Sequence, residues 1–168
     1  KDADVVHADR IDAADFRARF IDARLPCCID GAQHGWKASG AWQTTQLLAR
    51  LGSTRRCRID DRPDDTVSLA AFLDYCPHTT DSRPRYVFDG KLPFDLAADY
   101  AAPPLVEQPG DNLFGLIEAP PAHRWLLIGG PRSGTGLHVD PLLTSAWNAL
   151  VVGRKLWALF PPATSSAE

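Results

Sequence analysis

Past Pro121 helical spacing disappears from the chain, and that loss limits the fold more than any other feature. The stretches 124–128, 136–140, 145–152 and 155–160 each read as a short strand, separated by Gly- and Pro-bearing turns. Upstream the pattern is mixed. Asp12 is placed to cap a helix over 12–19, Ser68 another over 68–75, and a third over 42–51 closes on Gly52. Strands are expected at 25–29, stopped by Asp30-Gly31, at 55–59, and at 85–88 before Asp89-Gly90. Between the two textures, 92–121 is proline-rich and carries little periodicity beyond one short helix at 113–117, which suits a long surface excursion. Helices followed by strands predict an α+β fold with a mainly β core, a double-sheet architecture decorated by helices. The expected organisation is one domain in three parts: 1–90, 91–121 and 122–168.

Composition narrows the function classes. The 168 residues are 45% hydrophobic and 23% charged, as in globular domains. A net charge of -3 supplies no positive field to hold nucleic acid, so no direct nucleic-acid role is expected. The apolar run 125–128 is far shorter than the roughly 20 residues of a membrane helix, so no membrane span is expected. The first residue is Lys1 rather than Met, with no signal-peptide pattern, which reads as an internal cut. Cysteines at 27, 28, 57 and 76 lack C-x-x-C spacing and do not read as a zinc ribbon. Cys27 and Cys28 should point to opposite faces of their strand, one into the core and one out. Trp36 and Trp42 read as core anchors.

The sharpest local motif is Gly134-Thr135-Gly136-Leu137-His138-Val139-Asp140-Pro141. Strand side chains alternate, so His138 and Asp140 project from one face about 7 Å apart along the backbone. An imidazole and a carboxylate so spaced can converge on one ion, as two members of a two-His-one-carboxylate triad that leaves positions open on Fe(II). By itself H-x-D is common, and a surface hydrogen-bonded pair is the ordinary reading. Gly134 and Gly136 would let backbone approach a ligand closely.

A second motif runs from Trp147-Asn148-Ala149 to Lys155-Leu156-Trp157. If Gly153-Arg154 form a type II′ turn, Val152 faces Lys155, Leu150 faces Trp157 and Asn148 faces Leu159. One mostly apolar face then carries Lys155 and Asn148, and a lysine there calls for an anionic partner such as a dicarboxylate. A register shifted by one residue would instead leave Lys155 in solvent.

The run R-W-L-L-I-G-G-P-R-S-G-T-G-L-H-V-D-P-L-L-T-S-A-W-N-A-L-V-V-G-R-K-L-W-A-L-F-P over 124–161 closely resembles the JmjC domains of Fe(II)- and 2-oxoglutarate-dependent oxygenases. The likeness extends upstream through 26–36, Trp42 and Tyr86-Val87-Phe88-Asp89, and more loosely over 92–121. It implies a cupin-like double-stranded β-helix with N-terminal helices and its C-terminal part missing. By the same resemblance His138 and Asp140 fall on the first two iron ligands, and Lys155 on the lysine pairing with the distal carboxylate of 2-oxoglutarate. Thr135 and Tyr86 match hydroxyls that bind the same co-substrate, and Asn148 an asparagine near it. The family's third ligand is a later histidine that the chain does not reach. His7, His34, His78 and His123 do not replace it.

The implied activity is a dioxygenase that hydroxylates lysine or demethylates methyl-arginine side chains of proteins, with dioxygen as a further substrate and the fragment alone inactive. RNA-associated or chromatin proteins, and hence a nuclear or nucleocytoplasmic setting, are the partners the resemblance implies. Two alternatives stay open. One is a non-catalytic JmjC-like protein-binding module; the other is a cupin holding a different metal without 2-oxoglutarate.

Overall fold

A computed structural model describes residues 2–60, 62, 64–91, 94–108, 113–141, 144–161 and 164. The chain opens with a strand that sequence reading did not anticipate. β1 (Asp4–His7) pairs in parallel with β2 (Cys27–Asp30), Asp4 opposite Cys27 and His7 opposite Asp30. Parallel neighbours need a crossover. It is supplied by α1 (Ala13–Phe16), which runs into a wider π-type turn, Arg17–Ile21. Asp12 caps it as expected, its carboxylate accepting from the Asp15 amide at 2.8 Å. Phe16 and Phe20, one turn apart, close over the strand pair together with Val6 and Leu105. Cys27 packs on this cluster while Cys28 is exposed, the division that strand alternation predicts.

The second core lies under α4 (Leu69–His78), where Leu69 and Phe72 meet Cys57, Ile59 and Val87. Ser68 caps this helix by accepting from the Ala71 amide at 3.3 Å. It outlasts the expected end at 75 by three residues, with Pro77 in its last turn, and the Thr79 amide still donates to the Tyr75 carbonyl at 3.0 Å. β3 (Arg56–Arg58) pairs antiparallel with β4 (Thr66–Ser68), and β5 (Tyr86–Asp89) with β6 (Leu126–Gly129), Tyr86 opposite Gly129. A single antiparallel bridge, Ile59 to Val87, joins the two pairs.

α2 (Ala38–Ala41) and α3 (Thr44–Leu51) follow β2, and α5 (Phe94–Ala97) follows β5. Leu47 of α3, Leu96 of α5 and Leu126 of β6 form a third cluster, with Trp42 packed against it as an anchor. Trp42 also donates its indole N–H to Asp99 at 2.7 Å, and Arg50 binds the same carboxylate. Asp99 is buried, and the Arg50 guanidinium, aided by the Trp42 donor, holds its carboxyl below the usual carboxylate range against the opposing effect of burial. The short helix expected near 113–117 is a single 3-10 turn, Leu113–Leu116.

The expected strands divide into two groups. Those at 25–29, 55–59, 85–88 and 124–128 appear within one or two residues of their expected bounds. Those at 136–140, 145–152 and 155–160 do not appear as strands, and no type II′ hairpin closes at Gly153-Arg154, although Gly153 does take a positive φ of 92°. A strand is a relation between two segments, and an isolated hairpin is marginal in water. Leu156 is 95% exposed, and Leu159 and Phe160 also face solvent, so among the described residues no second layer lies over this stretch. The α+β class holds, as small sheets among helices, and the double-stranded β-helix is not assembled among the described residues. Pro162, the second of the two prolines that follow the 155–160 stretch in the sequence, lies outside them.

Candidate functional site

β6 delivers the chain into the loop that begins the H-x-D motif, and that loop is tightly fitted. A side chain at Gly130 would press on the Cys76 carbonyl, its Cβ 3.0 Å from the oxygen. Ser133 folds back to donate to the Gly130 carbonyl at 2.7 Å, and Arg132, at φ 68°, donates to the Asp81 carbonyl at 3.1 Å. These contacts place Thr135 beside β5. Its hydroxyl lies 3.0 Å from the Tyr86 hydroxyl, so the two residues read from sequence as co-substrate hydroxyls meet across 49 positions.

His138 and Asp140 are likewise brought together, with His138 Nε2 at 3.1 Å from Asp140 Oδ1. The other ring nitrogen fixes what this contact means. Nδ1 lies 2.7 Å from the Gly136 carbonyl oxygen, which can only accept, so Nδ1 carries a hydrogen. Nε2 is then the nitrogen left facing the carboxylate, and a ring nitrogen and a carboxylate oxygen at that distance either share a hydrogen bond or can turn together to one metal ion. An Nδ1–H held by a carbonyl with Nε2 left free is the arrangement in which histidines ligate metals. Both side chains are nearly half exposed, so the pair is open to an incoming ion. Nothing lies within 4 Å of where a Cβ would stand on Gly134 or Gly136, and the backbone there is open on that side. Among the described residues no third His, Cys, Asp or Glu joins His138 and Asp140 in a metal-binding group.

Lys155 and Asn148 are not brought to these pairs by any described contact. Lys155 sets its ammonium 4.2 Å from the centre of the Trp157 ring, two residues on, so the two do share a side of the chain. The residue as a whole is exposed, and partial desolvation of the ammonium beside that ring moves its pKa down from the ordinary lysine value. Asn148 is exposed. It lies between Trp147, which packs edge-on against Trp36 at 6.1 Å and near Tyr100 at 6.3 Å, and Leu150. With the Gln33 carboxamide oriented so that its oxygen faces an N–H, Gln33 donates to the Leu150 carbonyl and accepts from the Leu150 amide, both at 3.2 Å. Trp36 is therefore less a core anchor than part of an aromatic contact with this segment.

Sequence reasoning missed two residues here. Gln33 is one, and nothing in its neighbourhood marks it. Asp60 is the other: its carboxylate accepts from the Tyr86 amide at 3.1 Å and from Arg85 Nε at 2.9 Å, while Arg85 also reaches Asp65 at 2.7 Å. The paired acids raise the Arg85 pKa further and keep it charged. Two clefts, of about 440 Å³ beside Trp36, Lys37 and Tyr100 and about 290 Å³ beside Lys91, His123 and Arg124, are not lined by any of the six expected site residues.

No family model matches the chain. Individual proteins do. Over 151 residues it is 40% identical to the Lysine-specific demethylase JMJ21 of Arabidopsis thaliana, covering 86% of this chain and 16% of that protein. Over 166 residues it is 33% identical to the Bifunctional arginine demethylase and lysyl-hydroxylase psr-1 of Caenorhabditis elegans, covering 94% and 41%. A more distant relative is the 2-oxoglutarate and iron-dependent oxygenase JMJD4 of Homo sapiens, 25% identical over 92% of this chain and 42% of that protein. The chain thus spans less than half the length of the curated relatives it matches.

Proposed function

The chain belongs to the JmjC family, and on that premise we propose that it carries the metal- and co-substrate-binding portion of an Fe(II)- and 2-oxoglutarate-dependent dioxygenase acting on lysine or methyl-arginine side chains of proteins. The observation that carries the reading is the placement of the His138 ring, with Nδ1 held at the Gly136 carbonyl and Nε2 turned toward Asp140, a donor set suited to Fe(II). In the proposal the parent protein folds as a cupin-like double-stranded β-helix, and a third ligand comes from outside the described residues.

The chain's own residues divide the remaining work. Tyr86 and Thr135, already in hydrogen-bond contact, offer two hydroxyls to one carboxylate of 2-oxoglutarate. In the complete fold Lys155 would supply the opposing charge and Asn148 would line the same space, neither of which the described contacts yet bring to these pairs. A dicarboxylate would compensate the desolvation that now bears on the Lys155 ammonium. Bound iron would supply the oxidative chemistry in which one dioxygen is spent, one oxygen atom going to succinate as 2-oxoglutarate loses carbon dioxide and the other to a carbon-hydrogen bond, which gives hydroxylysine on lysine and releases formaldehyde from an N-methyl group. Positioning falls to the protein. A nuclear or nucleocytoplasmic setting belongs to the same proposal and rests on the resemblance.

The test is succinate formation by the full-length protein supplied with Fe(II), 2-oxoglutarate and lysine- or methyl-arginine-bearing peptides. His138→Ala should abolish it, and Lys155→Ala should raise the KM for 2-oxoglutarate. Indifference to Lys155→Ala would favour a cupin that uses its metal without this co-substrate. Absence of turnover together with retained peptide binding would favour a non-catalytic binding module.

A further inference from the structure

Tyr86 begins β5, and the edge it shows to β3 is not finished by ordinary strand pairing. Ile59 bridges Val87 in antiparallel fashion, so the next pair along, Asp60 and Tyr86, should exchange two backbone hydrogen bonds. Only one is made by backbone alone. The Asp60 amide donates to the Tyr86 carbonyl at 2.8 Å. The return bond, from the Tyr86 amide, goes to the Asp60 carboxylate at 3.1 Å.

The backbone explains the substitution. Asp60 sits at φ 52°, in the left-handed region where Asp is tolerated better than most residues. That turn takes the following chain off the ladder, and the side chain provides the acceptor Tyr86 needs. Its second oxygen accepts from Arg85 Nε at 2.9 Å, so the carboxylate cannot swing away without breaking an ion pair. The Arg85 amide in turn donates to the Tyr75 hydroxyl at 3.0 Å, and Tyr75 donates to Asp81 at 2.7 Å. Both peptide nitrogens ahead of the Tyr86 side chain are therefore bound by side chains of other elements.

We propose that Asp60 is a positioning residue for the co-substrate site: by binding both the amide and the carbonyl of Tyr86 on one edge of β5 it fixes where the Tyr86 hydroxyl meets Thr135. This rests on the reading of Tyr86 as a co-substrate hydroxyl, and its test separates the two. The full-length protein, loaded with Fe(II), is compared as wild type, Tyr86→Phe, Asp60→Gly, Asp60→Asn and the Asp60→Gly/Tyr86→Phe double variant. Glycine suits the left-handed φ and removes both the acceptor for the Tyr86 amide and the carboxylate partner of Arg85; asparagine gives up the charge but keeps an oxygen for the Tyr86 amide.

Tyr86→Phe and Asp60→Gly should each raise the KM for 2-oxoglutarate by about tenfold, the worth of one hydrogen bond to a charged group. kcat should move far less. The double variant should be no worse than Tyr86→Phe alone, and Asp60→Asn should recover most of the wild-type KM. A merely structural Asp60 would lower the active fraction without this split, and its effect would add to that of Tyr86→Phe. If Tyr86→Phe raises KM and Asp60→Gly does not, the positioning role is overturned while the co-substrate reading stands. If Tyr86→Phe leaves KM unchanged, the co-substrate reading falls, and with it the role of Asp60 in that site. Amide hydrogen exchange then decides the clamp itself: Asp60→Gly must speed exchange at Tyr86, and unchanged protection overturns it.

Discussion

The two halves of the candidate site are held in opposite ways. Tyr86 stands on a strand paired on one edge to β6, clamped on the other by Asp60, and followed by Val87, which is fully buried. His138 and Asp140 are bonded mainly to one another and to Gly136, within five residues of chain, and the apolar residues around them, Leu137 and Val139, are 80% and 76% exposed. One half is built by the fold and the other by local hydrogen bonds. The Tyr86 hydroxyl on β5 is thus set before any ligand arrives, and the His138–Asp140 pair gains its rigidity from whatever binds or packs against it.

Core truncation breaks this contrast most strongly. Phe72→Ala, at a position 1% exposed beneath β3 and β5, should cost about 3–5 kcal/mol in urea unfolding and loosen Tyr86 with it. Asp99→Ala comes next, because it leaves the Trp42 indole and the Arg50 guanidinium without their carboxylate; a loss of about 2 kcal/mol at neutral pH is expected. The carboxyl is depressed in the folded state, so its contribution is complete above the unfolded pKa of about 3.9 and is lost as pH falls through the lower folded value. Unfolding curves of wild type and Asp99→Asn should therefore converge on acidification, and a gap that did not narrow at all as pH fell below about 3.9 would contradict the assignment.

Gly90→Ala tests the region next to β5. A Cβ there would come within 2.6 Å of the Trp125 ring, which stacks on Phe88, and should cost about 1–3 kcal/mol by thermal unfolding. At the small end, Leu156→Ala should change the stability of this chain by less than about 0.5 kcal/mol, since the residue is 95% exposed. A larger loss would mean that the segment at 155–160 is covered in solution, and the contrast between the halves would shrink.

What the sequence disclosed follows the same division. Strands that find partners within the chain, such as 85–88 and 124–128, were readable from turn residues and β-rich runs, and the helix caps at Asp12 and Ser68 from residue type. The meeting of Tyr86 with Thr135, and the facing of His138 and Asp140, agree with spacing and resemblance taken together. The strands at 145–152 and 155–160 were read from alternation that is present in the residues, but alternation names a face and not the neighbour that would cover it. β1 was missed because Asp4-Val5-Val6-His7 is too short to show a period. Asp60 and Gln33 were missed because each acts through a side chain that imitates backbone, and composition carries no mark of that.

The carboxamide of Gln33 has one more implication for how a sheet can extend here. In an extended chain the N–H and C=O of a single residue point to the same edge, and at Leu150 both are already taken by Gln33. Any incoming strand must then approach from the side served by Ala149 and Val151. A lone glutamine thereby selects the direction in which β structure can grow from this segment, and guards the opposite border against mispairing.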